Sequence, residues 1–366
     1  MVSCLGNAQG ENPGGFALLD EDFNVVGRWG LHENGTDDTK APNPTKNFYD
    51  FWYQPQHNIM VSSEWAAPNT FNKGMSIESF PRIYSSDCLT ILGFNPLDVV
   101  AGRYGHHLHF WNWNERTLLK SIDLGLDGLI PLELRFCHDP LIPCGYVVAA
   151  LGGSVFRFYK DDAGEWTTEK VISVSALTGL IEGWNPTSAL ITDMLISLDD
   201  RFLYISCWYV RNNNSFRKRY TRISYMYLFR FHGDVRQYYI GDRTEKPRLC
   251  GQIWLGGILK KNSDYQSDEI TSRLNGGPQM LQLSLDGKRL YVSNSLHTAW
   301  DDQFYPDMKT NGSFLAKINC RTDTNEGGME LDQNFFVNFK DEPNGPVRVH
   351  EIRYPGGDCT SDIWLS

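Results

Sequence analysis

Short apolar runs broken by acidic or glycine-rich turns recur along the whole chain. Gly15–Leu19 is apolar, Asp20, Glu21 and Asp22 turn it, and Phe23–Trp29 follows as the second arm of a hairpin. Phe51–Tyr53 and Asn58–Ser62 flank Gln54–His57 in the same manner. In His107–Trp113, Leu, Phe and Trp alternate with polar residues. The chain then turns at Asn114–Arg116 and continues into Leu118–Leu124. Tyr146–Leu151, Val155–Tyr159 and Trp166–Val174 form a further set, with turns at Gly152–Gly153 and Asp161–Gly164. The period is two, as in strands, and long helical periodicity is largely missing.

One internal repeat sharpens this reading. Ile196-Ser-Leu-Asp-Asp-Arg-Phe-Leu-Tyr-Ile-Ser206 echoes Leu283-Ser-Leu-Asp-Gly-Lys-Arg-Leu-Tyr-Val-Ser293. Each copy reads as an apolar strand, a tight turn containing Asp, and a second strand. Adjacent strands of a propeller blade have this form. Trp111, Trp166 and Trp254 fall on other strand candidates, where stacked sheets need bulky fillers. The expected fold is all-β, a β-propeller.

Composition narrows the function classes. Hydrophobic residues make up 41% of 366, so a large core is available, and the net charge of −10 opposes general nucleic-acid binding. No apolar window approaches ~18 residues, and the N-terminus has neither a basic n-region nor an apolar h-region. No secretory signal and no membrane span are therefore expected, and the cytoplasm is the expected compartment. The eight cysteines are scattered without a C-x-x-C pair and read as buried free thiols of a reducing compartment.

Residues 210–231 stand apart. They carry Arg211, Arg217, Lys218, Arg219, Arg222 and Arg230 and no acid, which leaves the rest of the chain at −16. The segment is expected to be a disordered basic, aromatic insertion. A role in binding RNA or anionic lipid is the less favoured alternative to an insertion without a selected role.

Several longer stretches carry a resemblance. They are Phe51–His57 with Glu64-Trp-Ala-Ala-Pro68, Asp127–Phe136, Leu190–Asp193, Ser197–Tyr204, Gly276–Gln279, Gln303–Pro306 and His350–Cys359. Together they resemble the selenium-binding protein 1 family, the methanethiol oxidases, over nearly the whole chain. The resemblance implies a β-propeller, seven-bladed in the complete family. It also implies oxidation of methanethiol with O2 and water to formaldehyde, hydrogen sulfide and hydrogen peroxide, and copper, which bacterial members use. Two departures follow from it. The family carries a longer N-terminal portion with a C-x-x-C motif, the cysteine thought to hold selenium, and several histidines. Residues 1–366 are thus expected to form one propeller domain lacking its first blades, with an open edge prone to aggregation. The family also runs almost directly from Trp208 to His232, so 210–231 interrupts it in frame, as retained intron sequence would.

Thiol oxidation by O2 needs a redox centre, and no flavin or nicotinamide fingerprint is present. Copper suits imidazole ligands and would favour the substrate thiolate. In a propeller, ligands converge from different blades, so the candidates are taken from the family-like motifs: His138, His232, His350 and, as a fourth, His57. His32, His106, His107 and His109 are expected to be surface or turn residues. Glu64, Glu133, Asp193 and Glu351 could orient ligand histidines through the second ring nitrogen. Asp193 and Asp199 are expected in the first instance to stabilise turns, and Cys137 and Cys359 to be buried hydrophobes. The substrate side comprises a small thiol and O2, with selenium binding possible. No catalytic residue is assigned. The alternatives are a non-catalytic propeller that binds selenium or protein, and an inactive product.

Overall fold

The computed structural model describes residues 1–30, 45–73, 96–174, 189–211, 231–257 and 274–353. Four antiparallel sheets of four strands follow one another in chain order. The first holds β4 (Phe48–Gln54), β5 (Ile59–Glu64), β6 (His107–Asn112) and β7 (Leu118–Asp123). The second holds β8 (Pro131–Phe136), β9 (Cys144–Ala149), β10 (Ser154–Lys160) and β11 (Trp166–Ser173). Next come β12 (Leu190–Ile196), β13 (Phe202–Arg211), β14 (Phe231–Tyr239) and β15 (Arg248–Gly257). The last is β16 (Leu281–Leu283), β17 (Arg289–Ser293), β18 (Phe314–Cys320) and β19 (Met329–Asn338). A three-stranded sheet of β1 (Val2–Cys4), β2 (Gly15–Leu19) and β3 (Val25–Trp29) precedes them. The first strand of each four-stranded sheet packs beside the first strand of the next, β4 on β8, β8 on β12 and β12 on β16. The sheets therefore radiate from a common axis as the blades of a β-propeller, as the periodicity and the repeat predicted.

The inner strands β5, β8, β9 and β12 bury both faces, one against each neighbouring blade. Met60 packs with Phe16, Trp29, Phe48 and Trp111, whereas Ile59 and Val61, pointing the other way, join Leu134, Phe136, Val147 and Phe158. Phe110 and Trp111 split between the same two layers. Ile191, Met194 and Ile205 meet Tyr146 and Val148, and Tyr204 and Val235 meet Leu283, Leu290 and Val292. This is the period-two pattern at work: successive side chains fill opposite inter-blade layers.

The two ends of the blades differ. At one end the connections are tight, as at 55–58, 137–143, 197–201 and 284–288. At the other, the β5–β6 and β17–β18 connections are long and carry α1 (Pro68–Lys73), α2 (Pro96–Val100), α3 (Thr298–Phe304) and α4 (Met308–Asn311). An apolar cap of Ala66, Phe71, Tyr104, Trp208, Trp300 and Tyr305 closes this loop end. Of the basic segment, the ends are strand: Val210 pairs with His232 and Arg211 with Phe231. Its body, 212–230, lies outside the described residues, so the expected disorder is not addressed there.

The repeat builds one turn twice. Ser197 Oγ donates to Asp199 Oδ1 at 2.6 Å and accepts Phe202 N–H at 2.9 Å. Ser284 Oγ bonds Asp286 and accepts Arg289 N–H at 3.0 Å. The left-handed residue is Gly287 (φ 68°) in the second copy but Asp200 (φ 54°) in the first. Asp200 bears that strain because its carboxylate is used. Oδ1 accepts His138 N–H at 2.8 Å and meets His138 Nδ1 at 2.9 Å, while Oδ2 accepts Asp139 N–H at 2.9 Å. One side chain thus ties the β12–β13 turn to the β8–β9 turn.

Exchanging the two residues separates these effects. Asp200→Gly relieves about 1 kcal/mol of left-handed strain but loses three bonds to a buried carboxylate. We expect a net loss of about 2–4 kcal/mol in the denaturant midpoint. Gly287→Asp, which gains no such partners, is expected to lose only about 1 kcal/mol.

Candidate metal and histidine centre

The described residues hold one group of histidines and acids whose donor atoms converge. His106, His107 and Asp123 each offer a ligand atom, and these lie within 4.8 Å of one another. His107 and His109 stand two apart on β6 and so share a face of the strand. Opposite them, the last residue of β5 is Glu64, whose side chain is 6% exposed. Its Oε2 accepts the backbone N–H groups of His106 (2.8 Å) and His107 (2.9 Å) and meets His107 Nδ1 at 3.1 Å. Its Oε1 meets His109 Nε2 at 3.0 Å, and the other nitrogen of His109 meets Ser121 Oγ at 2.8 Å. His106 Nδ1 lies 2.7 Å from Asp123 Oδ1. Gly105 lets the two strands approach, since a Cβ there would lie 2.3 Å from Glu64 Cβ.

The electrostatics follow from burial and pairing. Burial pushes the Glu64 carboxyl up, but hydrogen bonds from His107 and His109 and their charges outweigh it and leave it at about 2. The hydrogen bond to Glu64 raises His107, against the opposing effect of burial. Asp123 is lowered, first by the Gly125 N–H and then by His106. With Nδ1 of His107 donating to Glu64, Nε2 of the neutral imidazole is left as its lone-pair donor. This carboxylate–imidazole pairing fixes the tautomer of metal-binding histidines.

The four histidines chosen from the motifs are not brought together. His57 and His138 lie in the β4–β5 and β8–β9 turns, at the turn end. His232 and His350 lie at the loop end, a strand length of roughly 20 Å away. One ion cannot bind all four. His138 is 3% exposed and its Nδ1 is held by Asp200. His57 is lowered by burial and by Lys160, and packs edge-on to Trp166. His350 Nδ1 bonds the Ser295 carbonyl at 2.8 Å. His232 is placed by its backbone at the start of β14, between Val210 and Gly257, and its side chain lies outside the described residues. His32 also lies outside them.

Other expectations divide similarly. Glu64 does orient histidines, although His107 and His109 rather than the four candidates. His109 is 3% exposed, not the surface residue expected. The available signal was the H-H-x-H spacing on an apolar strand, which places two imidazoles on one face; the burying partner stood 45 residues away in sequence. Asp199 stabilises its turn as expected. Asp193 does not: it lies on β12, where its carboxylate accepts Met194 N–H (2.7 Å) and, from the next blade, Leu281 N–H (2.6 Å). Glu133 joins the same axial group. Arg135 reaches Asp50 at 3.0 Å and Glu133 at 3.1 Å, and Tyr49 donates to Glu133 at 3.3 Å. Burial first, and the Glu133 charge second, raise Asp50 to about 7 and Asp193 well above the carboxylate range. Glu351 pairs with Arg353. Cys137 is buried as expected, and Cys359 lies outside the described residues.

Comparison with known proteins places the chain. The family model for 56kDa selenium binding protein matches residues 1–91, 83–217 and 220–365. A Xenopus laevis protein named methanethiol oxidase is 46% identical, over 100% of this chain and 69% of its own length. A Homo sapiens protein of the same name is 43% identical with the same coverage. The solved structure of a hypothetical selenium-binding protein from Sulfolobus tokodaii aligns with a TM-score of 0.70 and 33% identity, covering 99% of this chain and 68% of that one.

The Glu64 group predicts a pH signature. A lowered carboxyl stabilises the fold above its unfolded value, near 4.5, and that stability drains as pH falls towards about 2. The swing is about 3 kcal/mol. A raised His107 adds stability that is complete below pH ~6.5 and fades as pH rises through its folded value. Glu64→Gln should therefore flatten the acid limb of the stability profile between pH 4.5 and 2, measured by urea titration. It should also shift the His107 NMR titration midpoint downward.

With the family match spanning nearly its full length and the same fold in a solved relative, the chain belongs to the 56kDa selenium binding protein family.

Proposed function

We propose that this chain is a methanethiol oxidase, converting CH3SH, O2 and H2O to formaldehyde, hydrogen sulfide and hydrogen peroxide. The observation that carries this reading is identity of 43–46% along the entire chain to proteins of that name. The histidine centre supports it by supplying what the chemistry requires. Its two half-exposed imidazoles and one exposed carboxylate form a nitrogen–oxygen donor set of the kind that suits copper. Bound copper would supply one-electron chemistry with O2 and a soft partner for a thiolate.

The protein's own contribution is positional. Glu64 holds His107 in one tautomer and, through the backbone N–H groups of residues 106 and 107, sets the entry of β6. His109 and Ser121 brace Glu64 from the buried side, so the carboxylate cannot swing towards the outer donors. His106 and Asp123 already face each other and would exchange their mutual hydrogen bond for metal ligation.

Among the described residues no helix is long and apolar enough to cross a membrane. The six described cysteines, Cys4, Cys137, Cys144, Cys207, Cys250 and Cys320, are free thiols, which fits the cytoplasm we propose as its compartment.

The purified chain, loaded with copper and supplied with methanethiol in an oxygen electrode, is expected to release peroxide and sulfide in equal amounts. His107→Ala should lose at least tenfold in rate and most of its bound copper, while retaining its melting transition. Absence of turnover in the copper-loaded protein would favour instead a non-catalytic selenium-binding or protein-binding propeller. Unchanged turnover in His107→Ala would remove the histidine centre from the reaction.

A further inference from the structure

We propose that Cys137 and Cys144 form a reversible disulfide across the β8–β9 hairpin, with hydrogen peroxide as the oxidant. Register carries this inference. Phe136 pairs with Gly145, so the next position along the ladder sets Cys137 opposite Cys144, and Cys137 N–H donates to the Cys144 carbonyl at 2.9 Å. Directly opposed residues in an antiparallel pair stand about 4.5–5.5 Å apart at Cα, inside the ~4.4–6.8 Å span that a disulfide accepts. Opposed side chains emerge on the same face, so the two thiols share one side of the hairpin.

The surroundings favour thiol redox chemistry over metal binding. Arg243 Nη2 donates to Cys137 Sγ at 3.8 Å, and Arg157 Nη1 donates to the Arg243 carbonyl at 2.5 Å, which gathers two guanidiniums at the pair. Cations beside a thiol stabilise the attacking thiolate, and the same charges repel a metal cation from the space between the sulfurs. The pair flanks the 138–143 turn and lies at the opposite end of the blades from the histidine centre. Cys144 is the entry point, being 4% exposed where Cys137 is fully buried.

The step balances as follows. The Cys144 sulfur attacks one peroxide oxygen, an S–O bond forms, the O–O bond breaks and water leaves. Cys137 sulfur then displaces the oxygen from the sulfenic acid, the S–S bond forms and a second water leaves. Two thiols lose two electrons and two hydrogens, and peroxide is reduced to two waters. The proposed oxidase reaction would be one source of that peroxide, but the pair needs only peroxide from any source.

Treating the intact protein with hydrogen peroxide therefore tests this inference without reference to turnover. Both cysteines fall in the tryptic peptide Phe136–Arg157, whose mass should drop by two hydrogens and return to its starting value with dithiothreitol. Two of the chain's eight thiols should be lost to titration in step with it. Cys137→Ser should abolish the mass loss and leave Cys144 open to trapping by dimedone. The proposal is overturned if the peptide keeps both thiols while the half-buried Cys4 and Cys250 oxidise. It is equally overturned if either cysteine pairs instead with a thiol elsewhere in the chain.

Discussion

The guanidinium of Arg135 holds the centre of the propeller. It bridges Asp50 on β4 and Glu133 on its own strand, and its Cζ lies over the Trp52 ring, 4.3 Å from the centroid. Around it the first strands of four blades converge with two buried carboxylates, Glu133 and Asp193, the half-buried Asp50, and one cation. Such a site is tolerable only when its lone pairs are satisfied and its excess negative charge is suppressed. Both conditions are met. Backbone N–H groups from Leu134, Met194 and Leu281 supply bonds, and burial raises Asp50 and Asp193 towards their protonated forms. The Leu281 bond also crosses from β16 to β12, so the axis ties together all four complete blades.

A fixed axis gives the two ends of each blade separate tasks. The turn end is built from short connections whose polar groups satisfy one another: Ser197 with Asp199, Ser284 with Asp286, and Asp200 with His138. The loop end has room for helices and an aromatic cap, and its histidines are placed by Glu64 rather than by a turn. Placing a carboxylate at the end of β5 beneath the first residues of β6 is costly by burial and is offset by four hydrogen-bonding groups. That arrangement pre-orients His107 before any ligand arrives.

Much of this was legible in the residues alone. The alternation in His107–Trp113 and the repeated Ser-Leu-Asp turns predicted strands, blades and their connections, because period two and turn chemistry are local. The histidine centre was not legible in the same way. Motif membership pointed to His57, His138, His232 and His350, yet a motif says nothing about the end of a blade to which its residue is carried. His138 belongs to a conspicuous stretch for a structural reason, the tether from Asp200, and that reason lies in another blade. His109 was read with His106 and His107 as a surface or turn residue; those two are half exposed, but Glu64, distant in sequence, pairs with His109 in the interior. Asp193 was misread as a turn residue because aspartate in a strand is rare except where backbone donors from a second strand reach it.

The central functional claim is that the imidazoles of His106 and His107, with Asp123, form the metal centre of this family member. An anomalous difference map at the copper edge, from crystals of the copper-loaded protein, addresses it directly. The strongest peak is expected between these three side chains, with His107 still bonded to Glu64 through Nδ1. A strongest peak beside His57 and His138 at the turn end, or beside His350, would contradict it.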